Sequence, residues 1–420
     1  MKRFASFAAV LCLALAPAAL VSAAPKDYKV IYKADAEPEE GSQMAEYLVS
    51  LLGCGYAVAD SEAAGGPERR IEIVNSGNMS LWEYEAYSRK GSIVIDGGGE
   101  WALRKACELL AGKLNGARVA RGIAFSGSVE GEVLFDRAEG SDLRILVDNI
   151  WDYSKDTIPP AWQRLGVDCR DAVRAPQYAQ MVRAYMPDVL ALQEYSSHMD
   201  AEFLPRIAEW GYVHTTTGSD GNWNNTPIFY NSGKVEVVDC EFVLYTPKKW
   251  SNHGSKSFTS AVFRRKEDGK LFALINTHLW WKSEKAQPGS IQARAAQIRL
   301  ILAQAQCIKA KYNCPVFVTG DMNSEEDTLP IRQFFEEGFV PCYMAATVYA
   351  NMENGHHICS PGDGFSRVSR RKGADRKTGA IDHCFIWNAG DTEVKVFDCI
   401  TSYFTVPLTD HYPYFIDSRL

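Results

Sequence analysis

Gly320-Asp321-Met322-Asn323 closes the short apolar run Val316-Phe317-Val318-Thr319, so a carboxylate and a carboxamide stand two residues apart at the tip of a buried strand. In extended backbone both point to one side. One can hold a water or a hard cation and the other can orient what is bound. Alone, the same residues also close turns for purely local reasons. The pattern recurs, however. Asn149 ends the run from Leu143, Glu194 ends Val189–Leu192 and Gln193, and Asn276-Thr277-His278 ends Leu271–Ile275. Asp382-His383 opens Cys384–Trp387, and Asp410-His411 follows Val406–Thr409. Strand ends on a common sheet edge converge although far apart in sequence. Their carboxylate and amide oxygens suit Mg²⁺, with Mn²⁺ as a substitute. His278 and His411 can contact or protonate an oxyanion. Together these are the ingredients of metal-assisted hydrolysis of a phosphate ester.

Positioning them requires many short strands. From Leu143 the chain alternates strands (143–149, 189–193, 228–230, 235–238, 261–265, 271–276, 316–319, 381–387, 394–398) with helices at 176–186, 291–312 and near 331–336. Residues 24–137 form a separate compositional unit, expected to run β-α-β-β-α, with helices over 41–52 and 100–114. Gly97-Gly98-Gly99 before the second helix lacks both the Gly-Lys-Ser/Thr ending and the dinucleotide fingerprint, so phosphate binding is not expected there. Residues 138–142 read as the linker, which gives three segments: 1–23, 24–137 and 142–420.

At 420 residues the chain exceeds one ordinary domain, and its net charge of −7 argues against a general nucleic-acid coat. Residues 1–23 read as a secretory signal: Lys2 and Arg3, an apolar stretch from Ala8 to Leu20, and Val21-Ser22-Ala23 as the cleavage site. An exported protein, periplasmic or secreted, follows from that, with no integral membrane segment in the mature chain. No obligate protein partner is readable. Eleven cysteines occur, none with zinc-ligand spacing, and buried free thiols are expected for most.

The motifs Asn149, Gln193-Glu194, Asn276-Thr277-His278-Leu279, Gly320-Asp321-Met322-Asn323, Ile381-Asp382-His383 and Thr409-Asp410-His411 occur in one order, and in that order residues 143–420 resemble the endonuclease/exonuclease/phosphatase superfamily. The resemblance implies an α/β (α+β) four-layer sandwich, with two packed mixed β-sheets flanked by helices and the site at one edge. It also implies roles. Glu194 binds Mg²⁺ with Asn149 beside it and Asp410 in support. Asp321 activates the attacking water, helped by Asn323. His278 and His411 bind phosphoryl oxygens, and Asp382 orients His411. Two departures stand out: Asp148 precedes Asn149, and the segment between Asn323 and Ile381 is long and idiosyncratic. The 24–137 segment resembles, by pattern alone, the small α/β accessory domain of some secreted polysaccharide hydrolases.

Three further residues are candidates for substrate contact. Tyr230 follows Ile228-Phe229, Trp280 follows the His278 motif, and Arg371 lies in the basic run 367–377. Each has an ordinary alternative in core packing, cleft walls or a solvated loop. From residue 141 on the chain carries 30 Lys and Arg against 33 Asp and Glu, a balance that favours a small phosphodiester, phosphomonoester or lipid head group. A DNase-like nuclease is the alternative, because of the basic run. An inactive binding module is a third reading, disfavoured because every motif position is filled.

Overall fold

Apolar alternation and glycine placement decide both sheets of the larger unit and the sheet of the smaller one. The computed structural model describes residues 28–33, 38–52, 56–59, 69–74, 76, 78–114, 122–151, 168, 170–219, 221–350, 380–400, 409 and 411–420. They fall into two compact units, up to Glu132 and from Val133 onward. The signal segment lies outside the described residues. Among those described, no helix is long and apolar enough to cross a membrane.

In the first unit, strands β1 (Tyr28–Lys33), β2 (Tyr56–Ala59), β3 (Arg69–Val74), β4 (Glu83–Arg89), β5 (Ser92–Gly97) and β6 (Ala124–Ser128) form one sheet in the order β2-β1-β3-β5-β4-β6. Helices α1 (Pro38–Leu52) and α2 (Glu100–Leu114) accompany it. The expected β-α-β-β-α order thus omits β2, β4 and β6. Strand β4 reads Glu-Tyr-Glu-Ala-Tyr-Ser-Arg and buries only Tyr84, Ala86 and, in part, Glu85 and Tyr87, so its polar residues mask a half-buried strand. The glycine run is explained by close approach. A Cβ on Gly98 would lie 1.9 Å from the Ser80 carbonyl oxygen, which backbone cannot accommodate.

The second unit packs two sheets face to face. Strands β7 (Leu143–Asn149), β8 (Val189–Gln193), β9 (Tyr212–His214), β12 (Ile228–Asn231), β18 (Val348–Ala350), β20 (Glu393–Cys399) and β21 (Tyr414–Arg419) form one, ordered β18-β20-β21-β7-β8-β12-β9. The other is β13-β14-β15-β16-β19-β17, from β13 (Val235–Leu244), β14 (Ser257–Arg265), β15 (Leu271–His278), β16 (Val316–Asp321), β17 (Val340–Pro341) and β19 (Asp382–Trp387). A short hairpin, β10 (Gly218–Ser219) and β11 (Asn222–Trp223), stands apart. The helices are α3 (Asp171–Tyr185), α4 (Ser197–Ala208), α5 (Ser290–Tyr312), α6 (Leu329–Glu336) and α7 (Cys342–Ala345). This is the expected sandwich of mixed sheets flanked by helices.

Between the sheets, Ile145, Val147, Ala191, Leu274, Phe317 and Ile416 are fully buried and belong to one core cluster. Each large side chain so buried contributes about 1.5–3 kcal/mol. A second cluster on the outer face of the other sheet packs Ile275, Val316 and Val318 with Ile298, Ile301 and Leu302 of α5. Residues 133–137, read from the sequence as part of the first segment, bind the second unit instead. Arg144 donates to the carbonyls of Phe135 (2.7 Å), Asp136 and Tyr185 (both 2.8 Å), while its Nε meets Asp417 at 2.6 Å. A guanidinium buried in a sheet needs those acceptors, and the 133–137 segment provides two. Cys107, Cys240, Cys307, Cys314, Cys342 and Cys384 form no disulfide among the described residues.

Candidate active site

Two pairs of parallel strands run side by side into the same edge. β7 and β8 pair so that Asn149 lies opposite Gln193, with Glu194 next. β15 and β16 pair so that His278 lies opposite Asp321. Antiparallel β19 places Asp382 opposite Asp321, and the segment leading into β21 carries His411. Gly320 permits the tight seam between β15 and β16. Its φ is +130°, and a Cβ there would sit 2.0 Å from the Thr277 carbonyl oxygen.

Polar contacts stitch the two sheets at this edge. Asn149 donates to Asp321 Oδ2 at 3.0 Å and Gln193 donates to Asn276 Oδ1 at 2.6 Å. Asn276 in turn donates to the carbonyls of Leu192 (2.7 Å) and Pro227 (2.9 Å). Gln193 and Asn276 are therefore bridges between sheets, and their motif neighbours Glu194 and His278 face the site.

Asp321 is the hub. Its Oδ2 lies 3.3 Å from His278 Nε2 and 4.0 Å from His411 Nε2, and its Oδ1 accepts the Asn323 backbone N–H at 2.9 Å. Burial alone would raise its carboxyl. The adjoining His278, then His411 and Lys256, outweigh burial and hold it well below the usual carboxylate range. A carboxylate fixed in this way can orient a water at the shared edge. His278 Nε2 also lies 3.7 Å from Glu194 Oε1. Burial, then the Lys256 ammonium, push His278 below the ordinary imidazole value, against the opposite pull of Asp321 and Glu194. The second histidine is held differently: His411 Nδ1 meets Asp382 Oδ2 at 2.8 Å, both buried. Asp382 and Asp321 face each other across a strand pair, where like charges repel, and His411 stands between them. His383 turns away, its Nε2 2.7 Å from the Ser324 carbonyl.

Other expectations are corrected. Asn323 is not on extended backbone beside Asp321. Its φ is 48°, and its amide donates to the Leu279 carbonyl at 3.2 Å. Tyr230 pairs with Val189, at the far end of β8 from Glu194, and packs on Phe263 with ring centroids 5.7 Å apart. It is a packing residue. Trp280 is buried, its indole N–H donating to Ser290 Oγ at 3.0 Å, with Trp250 edge-on to it. The exposed indole is Trp281, because successive side chains leave the backbone in opposite directions. Asp410 and Arg371 lie outside the described residues.

Three residues that the sequence reading passed over complete the surroundings. Lys256 is buried, and its ammonium touches both ring nitrogens of His278, 3.1 Å from Nδ1. Arg174 of α3 donates to the carbonyls of Ile150 (2.5 Å) and Trp151 (3.0 Å), clamping the loop after Asn149. Arg294 of α5 does the same for the loop after His278, through the carbonyls of Trp280 (3.2 Å) and Lys282 (2.8 Å). No motif marks them, since each acts on a segment distant in sequence. Glu194 and Trp151 both have φ of 56°, a left-handed conformation costing roughly 1–2 kcal/mol outside glycine, which clusters at functional sites.

Glu194, His278 and Asp321 bring one potential ligand atom each within 4.8 Å of one another, and Asp321, Asp382 and His411 do likewise. The two carboxylates of the first group are hard-oxygen donors that fit a divalent cation of the Mg²⁺ type, while Asn149 turns its amide nitrogen to Asp321 and its Oδ1 accepts the Trp151 N–H at 3.0 Å.

Residues 173–397 match the Endonuclease/Exonuclease/phosphatase family. Nocturnin of Rattus norvegicus is 25% identical over 218 residues, 49% of this chain and 46% of that protein. Nocturnin of Homo sapiens is 28% identical over 154 residues, 34% of each. The chain thus spans less than half the length of the curated relatives it matches. Among solved structures, an endonuclease/exonuclease/phosphatase of Bacteroides vulgatus superposes with TM-score 0.51 at 20% identity, covering 66% of this chain and 98% of that one. A mannosyl-6-phosphatase of Bacteroides thetaiotaomicron VPI-5482 gives 0.52 at 19%, covering 66% and 100%. These likenesses show the fold.

Proposed function

The chain belongs to the endonuclease/exonuclease/phosphatase family, hydrolases of phosphoesters, and from that premise we propose an exported, Mg²⁺-dependent hydrolase of a small phosphate ester. The observation that carries the reading is Asp321, ionised and held between Asn149, His278 and His411 at a shared strand edge. Asp321 orients the attacking water. His411, its Nδ1 fixed by Asp382, presents Nε2 to a phosphoryl oxygen. His278 presents its ring beside Asp321. Glu194 and Asn149 would hold the metal, with Asp410 in support, and Mn²⁺ would replace Mg²⁺. A bound Mg²⁺ supplies Lewis-acid neutralisation of charge on the phosphoryl oxygens. Export rests on Lys2, Arg3 and the apolar stretch before Ala23. The near-balanced charge after residue 141 supports a small ester, and the 367–377 run keeps an endonuclease as the second reading.

A substrate panel tests this: DNA, RNA, sphingomyelin, inositol phosphates and sugar phosphates, each with Mg²⁺ and with chelator. Mannose 6-phosphate is included in view of the Bacteroides thetaiotaomicron structure's name. The expected result is chelator-sensitive hydrolysis of a small ester. Cleavage of DNA or RNA in preference supports the second reading. Hydrolysis that ignores chelator rejects the metal mechanism.

A further inference from the structure

We infer that Cys342 and Cys384 are a disulfide pair, closed when the chain is held under oxidising conditions. The pairing follows from the geometry. That the bond forms in the cell rests on the proposed export. Strand β17 fixes the approach. In its antiparallel pairing with β19, Val340 lies opposite Ile386 and Pro341 opposite Phe385. The next step of that register sets Cys342, the first residue of α7, against Cys384. Directly opposed residues of antiparallel strands have Cα atoms about 4.5–5.5 Å apart, within the span of about 4.4–6.8 Å that a disulfide bridges. The two side chains also meet, with their sulfurs 3.3 Å apart. Closing the bond then asks for side-chain rotation rather than a shift of either strand.

The surroundings decide when the bond can form. Both cysteines are buried in the cluster between the sheets, together with Phe317 and Ile386. Burial pushes the Cys342 thiol up, so attack by its thiolate is slow in the closed fold. The bond therefore forms while β17 and β19 come together, or when they open. The oxidant is a disulfide-bonded compound. One cysteine thiolate attacks it, giving a mixed disulfide and releasing one thiol. The second cysteine attacks the mixed disulfide and releases the other thiol. The protein loses two S–H bonds and gains one S–S bond, and both protons and both electrons end on the reduced oxidant. The bond fastens β19, whose first residue Asp382 holds His411, to the start of α7. The cysteines are 42 residues apart in the chain, so the cross-link removes freedom from the unfolded state and should raise the melting temperature.

The purified full chain is equilibrated in oxidised and reduced glutathione with enough urea to open the fold transiently, and a second portion in dithiothreitol. After urea is removed, free thiols are blocked with iodoacetamide in denaturant and non-reduced digests are mapped by mass spectrometry. The glutathione portion should give the Cys342 peptide joined to the Cys384 peptide. The dithiothreitol portion should give both peptides alkylated. The joined form should melt roughly 5 °C or more above the reduced form, a gap that Cys384→Ala abolishes. If that variant does not fold, the peptide map of the unaltered chain decides by itself. Alkylation of both cysteines in the glutathione portion would overturn the inference, as would either cysteine joined to a different one. The same map, made on protein acid-quenched and alkylated directly from the cells that produce it, tests export separately. Free thiols there, with a bridged glutathione portion, would reject export and leave the pair assigned.

Discussion

The strand–helix–strand units β7-α3-β8 and β15-α5-β16 are built to one plan and carry different chemistry. In each, two parallel strands deliver polar residues to the shared edge. In each, an arginine near the start of the helix reaches back to hold the carbonyls of the loop after the first strand. The first unit ends in an amide and a carboxylate, Asn149 and Glu194, with the Glu194 side chain 27% exposed. The second ends in His278 and Asp321, both buried, with Lys256 against the histidine. The comparison teaches that the backbone device is common and the division of labour lies in the last side chain of each strand. The first unit offers oxygen to a cation. The second offers an oriented carboxylate and a hydrogen-bond donor to water and phosphoryl group.

The largest effect should come from the residue that joins the two units. Asp321→Asn keeps the shape and removes the charge, and turnover should fall on the order of 10³-fold or more, measured on the best ester from the panel. Retention of a tenth of the activity would remove Asp321 from the hub. Next comes His411→Ala, expected to lower turnover by roughly 10²–10³-fold with the cation still bound. Adding Asp382→Ala to it should change little further, since the two act as one unit. Losses that multiply in the double variant would mean that Asp382 has an independent task.

Smaller effects sharpen the contrast between the units. Arg174→Met loosens the loop carrying Asn149 and should weaken cation binding by about 10–100-fold, while Arg294→Met should spare the cation and lower turnover by a similar factor. Calorimetric metal titration alongside kinetics separates the two, and identical profiles would erase the division of labour. The smallest effect concerns the boundary. A chain starting at Val133 should fold and hydrolyse the small substrate. One starting at Gly140 loses the Phe135 and Asp136 carbonyls that Arg144 uses and should melt a few degrees lower. Equal melting temperatures would show that those contacts contribute nothing.

What was legible in the sequence was what strands display at their ends. Asn149, Glu194, His278, Asp321 and Asp382 each break or bound an apolar run, and the fold then needs only parallel pairing to collect them. The contact of Asp382 with His411 was expected from their chemistry, and the two meet at 2.8 Å. Lys256, Arg174 and Arg294 were not legible. A lysine in Gly-Ser-Lys-Ser reads as solvated, and an arginine in a helix reads as surface, until partners from elsewhere bury them. Trp280 and Tyr230 were misread for a related reason. Neighbouring positions point to opposite faces, and sequence does not say which of Trp280 and Trp281 faces the core. Strand β4 was missed because its charged residues outweigh its alternation.

The account turns on the first unit holding the cation and the second performing the transfer. The most direct measurement is the Mg²⁺ concentration that half-saturates turnover in Glu194→Gln and in His411→Ala. The account predicts at least a tenfold rise for Glu194→Gln, with activity partly recovered at high Mg²⁺ or in Mn²⁺, and no shift for His411→Ala, only lower turnover. A shift in His411→Ala with none in Glu194→Gln would contradict it.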